Sequence, residues 1–281
     1  MAIITFWSNV DKETNQTTSL LATAVTMGFT RNYRCLVIDA DFASDVIERS
    51  FWPEKKDNAL MKELGKGKVD IASGPEGLIS AIASNKSSPE IIRNYTKVLM
   101  KDSRCDILVG LNTRIKEHYT NSLMLYKDLL ETANKYYDMI FVDLGKTLTL
   151  DPVKKILEIS DIVMFNLSPN LNCIKDYIKL MNSKNPLVPR HKVIPILGKY
   201  DRYSEYCSKN VARTIGEKKG MCGVPYNNVM MEAQYRSELL TYFYKLATVP
   251  NSGDKNEFLK KELDNICDTI IYKLQELQAR I

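Results

Sequence analysis

The chain has 281 residues, 44% of them hydrophobic and 26% charged, with a formal net charge of +5. That length suits one large α/β domain or two small ones with a sizeable core, and no apolar run nears the roughly 18–20 residues that cross a bilayer. Six scattered cysteines without a C-x-x-C pair, and only two histidines, argue against a disulfide scaffold and against a histidine-built metal or catalytic centre.

Met1 leads directly into an apolar run with no basic stretch before it, so no secretory leader is expected and the thiols read as free in a reducing cytoplasm. "AIITFW" (Ala2–Trp7) reads as a strand, followed by a polar loop and a helix from about Gln16. "RCLVIDAD" (Arg34–Asp41) is a second strand, ending in carboxylates. A polar helix is expected around Ser88–Lys101, then the strand "CDILVG" (Cys105–Gly110). A helix around Tyr119–Lys135 precedes "YDMIFVDLG" (Tyr137–Gly145). "DIVMFNLS" (Asp161–Ser168), "KVIPILG" (Lys192–Gly198) and "MCGVPY" (Met221–Tyr226) complete the strands. Their near-continuous apolar character is that of a sheet covered on both faces. Strand–helix alternation gives βαβ units in a doubly wound, mostly parallel sheet flanked by helices. No repeat or long linker divides the chain, so residues 1–281 read as one domain. "WPEKKDN" (Trp52–Asn58), "SNKSSPE" (Ser84–Glu90) and "VPNSGDKNE" (Val249–Glu257) read as turns.

The chain ends in an amphipathic helix over about 256–281, with Leu259, Leu263, Ile266, Ile270, Leu274, Leu277 and Ile281 at three- and four-residue spacing. Its charges are mixed, whereas a membrane-surface helix carries a basic polar face. Packing on its own domain is therefore expected, and membrane binding is not.

Charge is unevenly spread. Leu171–Gly220 holds eleven Lys and Arg against four Asp and Glu, a local excess of +7. Such asymmetry suits an acidic partner, and Lys209, Arg213, Lys218 and Lys219 are candidate DNA contacts. The plainer reading is a solvated lysine-rich face.

The candidate chemistry lies at three strand ends. The loop after Trp7 runs to a Thr17–Thr18 pair at a helix start, where converging N–H groups bind anions. Yet Ser8–Thr18 contains no glycine. Asp39 and Asp41 stand two apart at the end of one strand, on the same side of it, and Asp143 ends another, two residues before Gly145. Ligands of doubly wound sheets sit beyond these strand ends. Thr17, Asp39 and Asp143 form a plausible oxygen set for magnesium. For any one of these aspartates, a turn or helix cap is the alternative.

"IITFWSNVDKETNQTTSLLATAVTMGF" with "YRCLVIDADF" resembles the opening of the ParA/MinD-type deviant Walker ATPases. There a strand leads through K-G-G-x-G-K-T-T/S to a helix and then to a strand ending in D-x-D. On that resemblance Asp11 stands at the signature lysine, with Lys12 beside it. Lys12, Glu13 and Asn15 take glycine positions, Gln16 replaces the Walker lysine, and Thr17 keeps the magnesium hydroxyl. Asp39 and Asp41 match the D-x-D, whose second aspartate is tied to water activation. "YYDMIFVDLG" resembles Walker B, with Asp143 at the magnesium position. "SDIVMFNLSP" is similar to the family's "ADxVxxVxxP", and "GVPYNNVMMEAQYRSELLTYF" to the segment near its adenine pocket, which brings in Pro225. "GLISAIASNK" with the later "ILVG" is similar to the MinD/CpaE/TadZ branch.

The resemblance implies a P-loop NTPase-like fold, with ATP or ADP and magnesium, or no ligand, held by Lys12, Asn15, Gln16, Thr17, Thr18 and Pro225. It implies protein partners and a homodimer. Losing one charge-assisted contact costs about 1.5–3 kcal/mol of binding, and losing the lysine's stabilisation of transition-state charge costs several powers of ten in rate. The expected function is therefore a non-hydrolysing or weakly hydrolysing positioning, partition or assembly factor of a conjugative element, plasmid or Tad-like system. The alternatives are an active ATPase using Lys12 and Asp41, and a sequence-independent DNA-binding module.

Overall fold

The computed structural model describes residues 1–9, 13–53, 74–84, 88–101, 104–111, 113–145, 150–184, 186–218, 220–249, 253–254 and 256–279. Eight strands form one sheet in the order β3-β4-β2-β5-β1-β6-β7-β8. They are β1 (Ala2–Trp7), β2 (Cys35–Ala40), β3 (Lys97–Met100), β4 (Cys105–Leu108), β5 (Met139–Leu144), β6 (Ile162–Leu167), β7 (Val193–Tyr200) and β8 (Cys222–Pro225). Every neighbouring pair is parallel except β3 with β4. The expected doubly wound α/β architecture is therefore the one found.

Strand alternation sorts side chains into two layers. Ala2, Ile4 and Phe6 of β1, with Val37 of β2 and Phe141 of β5, pack on one face. That face is covered by α1 (Gln16–Thr30), α2 (Val46–Phe51), α9 (Asn228–Tyr235), α10 (Leu239–Thr248) and α11 (Glu257–Gln278). Ile3, Trp7, Ile38, Val142 and Phe165 pack on the other. There the covering helices are α3 (Gly74–Ala83), α4 (Lys116–Met124), α5 (Tyr126–Ala133), α6 (Leu150–Ile159), α7 (Leu171–Met181) and α8 (Ser208–Ile215).

Helix α1 is enclosed from Thr18 to Val25, because α10 and α11 cover the side turned away from the sheet. The terminal helix is structural in this arrangement: Leu259, Leu263, Ile266 and Ile270 are at most 2% exposed and face α1 and β8. Each such side chain contributes about 1.5–3 kcal/mol by leaving water. Residues 280 and 281 lie outside the described residues.

Two expected elements are corrected: the helix expected around Tyr119–Lys135 is two, α4 and α5, parted at Leu125. Ser88–Lys101 is not a helix: a 3-10 turn covers Pro89–Asn94, and Lys97–Met100 pairs antiparallel with β4. Tyr95, Thr96 and Val98 favour extended backbone, and only Ile92 of the 3-10 turn is buried, so no helical stripe exists to hold a longer helix. Of the expected turns, 54–58, 85–87, 250–252 and 255 lie outside the described residues. All six cysteines are free; five are buried, and Cys207, just before α8, is partly exposed.

Candidate functional site

The ends of β1, β2 and β5 meet the start of α1. Asp39 and Asp143 are register partners on adjacent strands, and alternation turns both toward the α1 face. They are 2% and 1% exposed. Asp41 lies just past β2 and turns back on the pair: its backbone N–H donates to Asp39 Oδ1 at 3.1 Å. Its own carboxylate accepts from the Phe42 N–H at 2.8 Å. The three expected carboxylates are thus brought together.

Glycines make this crowding possible. A Cβ on Gly145 would stand 2.0 Å from Asp41 Oδ1, and one on Gly110 would stand 3.2 Å from Asp39 Cγ. A third glycine seats the loop itself. A Cβ on Gly198 of β7 would fall 2.1 Å from the Thr14 carbonyl oxygen and 3.0 Å from Asn15 Cβ. The loop before α1 therefore lies against β7. Asn15 takes the left-handed conformation there, φ 57°, which asparagine tolerates better than most residues.

All three residues that open α1 direct their side chains into the protein. Gln16 Nε2 donates to Asp143 Oδ1 at 2.7 Å and to the Leu144 carbonyl at 3.0 Å. Thr17 Oγ1 donates to Asp143 Oδ2 at 2.6 Å. Thr18 Oγ1 donates to Gln234 Oε1 at 3.0 Å. Gln234 Nε2 donates in turn to Ser50 Oγ at 3.1 Å, which ties α9 to α2.

The electrostatics are those of crowded, dry carboxylates. Burial holds Asp39 well above the usual carboxylate range, and the Asp143 charge adds to it. Burial pushes Asp143 up to about 6, against the pull of the Thr17 and Gln16 donors, and Asp41 raises it further. Tyr119 closes the cluster by donating to the Ala40 carbonyl.

Thr17 and Asp143 are an oxygen pair that suits magnesium. The phosphate side fits poorly. Gln16, which the resemblance sets where a phosphate-facing cation would stand, is neutral and donates its amide to Asp143 and Leu144. Among the described residues, no group of three or more His, Cys, Asp or Glu is arranged to hold a metal. Among the described residues the site offers an oxygen pair for magnesium and a neutral amide beside it. Lys12 lies outside the described residues.

Pro225 ends β8 and is buried, with β6 and β7 between it and β1. Its strand neighbour Val224 pairs with Gly198, where the loop rests, so the loop reaches toward that end of the sheet. Lys209 and Arg213 are exposed one turn apart on α8, and Lys218 is exposed beyond Gly216. The three line a shallow depression together with Ser208 and Glu217. Since Val211 and Ile215 of α8 pack in the layer opposite α1, these cations lie across the sheet from the carboxylates. Lys219 lies outside the described residues.

Sequence reasoning missed Gln234, Ser50, Gly110 and Gly198. Spacing gave no signal for the two glycines, which act across the sheet. Gln234 sits within the recognised segment "EAQYRSELL", but nothing there marks its partner as Thr18.

No family model matches the sequence, and no curated protein matches it. Solved structures do match in fold. A ParA family ATPase from Chlorobium tepidum TLS superposes with a TM-score of 0.63 at 16% identity, covering 94% of this chain and 96% of that one. The cell division ATPase MinD of Pyrococcus furiosus gives 0.64 at 15%, covering 96% and 100%. A putative plasmid partition protein of Borrelia burgdorferi bound to AMPPNP gives 0.60 at 17%, covering 97% and 99%. The fold is the P-loop NTPase-like α/β fold of the ParA/MinD type.

Proposed function

We propose that this chain is a single-domain ParA/MinD-type positioning, partition or assembly factor that works through protein contacts, as a homodimer or with another protein, and hydrolyses ATP weakly or not at all. The observation that carries the reading is the inward commitment of Gln16, Thr17 and Thr18. A hydrolytic site needs a cation aimed at the transferred phosphate and a carboxylate free to organise magnesium. Here the position of that cation holds a neutral amide bound to the carboxylate itself.

Any nucleotide would be held by Thr17, by Asp143 and by the backbone N–H groups at the start of α1. Magnesium would supply charge neutralisation for the phosphates when bound. This chain's own residues would orient it through the Thr17 hydroxyl and leave the rate unassisted.

Steady-state phosphate release with magnesium and ATP tests the reading. The expected rate is that of the buffer blank. Turnover that disappears in both Lys12→Ala and Asp41→Ala overturns it in favour of an active ATPase.

A further inference from the structure

Three consecutive side chains at the start of a helix, the first two bound to Asp143 and the third to Gln234, form a joint. Gln16 and Thr17 fasten α1 to the end of β5 through both oxygens of Asp143 and through the Leu144 carbonyl. Thr18 fastens the same turn to α9 through Gln234, and Gln234 reaches Ser50 on α2. Ser50 Oγ in turn donates to the Val46 carbonyl at 2.6 Å, so the chain of bonds closes on the α2 backbone. The amide of Gln234 uses its oxygen on one side and its nitrogen on the other, so neither half can be lost without leaving a polar group unpaired in a packed interface.

We infer that Gln16 and Gln234 are built-in latches that hold α1, α2, α9 and the end of β5 in one arrangement without a ligand. A bound cation and an anion could supply the same cross-links: the cation would take the Thr17 hydroxyl and Asp143, and the anion would face the first N–H groups of α1. Here amide side chains supply them permanently. The arrangement of α2 and α9 is therefore constitutive and does not answer to nucleotide. This rests on the reading of the site as non-hydrolysing, and it adds that the site is not a switch.

The consequence concerns local opening, which amide hydrogen exchange reads directly. The full chain is compared with and without millimolar magnesium and ATP, alongside Gln16→Ala and Gln234→Ala. In the wild type, exchange across α2, α9 and α1 beyond its first turn is expected to be the same with and without nucleotide. Gln16→Ala should speed exchange at the α1 start and at the end of β5 by roughly tenfold to a hundredfold, the loss of one hydrogen bond to a charged group. Gln234→Ala should speed exchange in α1 and α2 together, though it touches neither backbone. If one variant fails to fold, the other still decides.

Nucleotide-dependent protection of α2 or α9 in the wild type overturns the inference, as does unchanged exchange in the variants. ATP turnover alongside loosened variants would overturn the functional reading and keep the latches. Turnover with unchanged variants would overturn both.

Discussion

Asp41 sits where a side chain on Gly145 would be: a Cβ there would stand 2.0 Å from Asp41 Oδ1 and 3.0 Å from Asp41 Cα. The second distance matters more. Turning the carboxylate away relieves the first contact, but the backbone past β2 must also give. Gly145→Ala should therefore displace Asp41 and destabilise the fold by about 1–3 kcal/mol, the usual cost of overpacking. Thermal denaturation checks this, and an unchanged midpoint would show that the turn past β2 is free to move.

Restoring the lysine should not restore an enzyme. In Gln16→Lys the new ammonium lies within reach of Asp143 Oδ1, where the amide nitrogen now stands at 2.7 Å. A charge-assisted bond to that carboxylate competes with any bond to a phosphate. The loop also keeps Glu13 and Asn15, with Asn15 already pressed toward Gly198. Phosphate release by this variant should stay at background; a measurable rate would mean that the lysine turns outward.

Acidification should stabilise the protein through the strand-end carboxylates. An unfolded aspartate titrates near 4, and folded Asp143 near 6, so the folded state holds the proton more tightly in between. Stability from this group is fully present below the unfolded value and is lost as pH rises through the folded one. Asp39 shifts in the same direction and adds to the slope. The two-unit shift at Asp143 corresponds to about 3 kcal/mol at most. Melting curves in chelator between about pH 7.5 and about pH 5 should show the rise, and Asp143→Asn should flatten it. Equal slopes in the two proteins would remove Asp143 as the cause.

The sequence displayed the sheet well and the site only in outline. Apolar runs located seven of the eight strands because each is buried on both sides, and burial is what hydrophobic patterning records. The exception, Lys97–Met100, is a four-residue edge strand with Lys97 and Val98 exposed, so its pattern is that of a polar surface segment. Asp39, Asp41 and Asp143 were legible from their places at strand ends. The partners of Gln16 and Thr18 were not, because Asp143 is 127 residues away from Gln16 and Gln234 is 216 away from Thr18. Nor were Gly110 and Gly198, whose role is the room they leave for another segment.

Ile270→Ala should lower the melting temperature by several degrees. Ile270 is fully buried between α11 and the rest of its layer. Removing a large aliphatic side chain there costs about 2–5 kcal/mol, and in a chain of this size each kcal/mol moves the midpoint by roughly 2–4 °C. If the midpoint holds while truncation after Val249 abolishes liposome binding, the helix serves a membrane instead.

Whatever affinity the protein has for duplex DNA should reside in the depression beside α8. Lys209, Arg213 and Lys218 stand there exposed, within the segment carrying the local excess of +7. Phosphate contacts release counterions, so binding should fall steeply with salt. Neutralising these three together with Lys219 should abolish it. Binding that survives neutralisation, or none at low salt and micromolar protein, would return these cations to a solvated face.

Cys207 immediately precedes Ser208 of that depression and is partly exposed, while the other five thiols are buried. A maleimide dye applied to the native protein would meet a single accessible sulfur. The molecule thus carries its own attachment point for a fluorophore, with no cysteine to add or remove. The emission of that dye would report what settles on the basic rim while the carboxylates across the sheet remain dark.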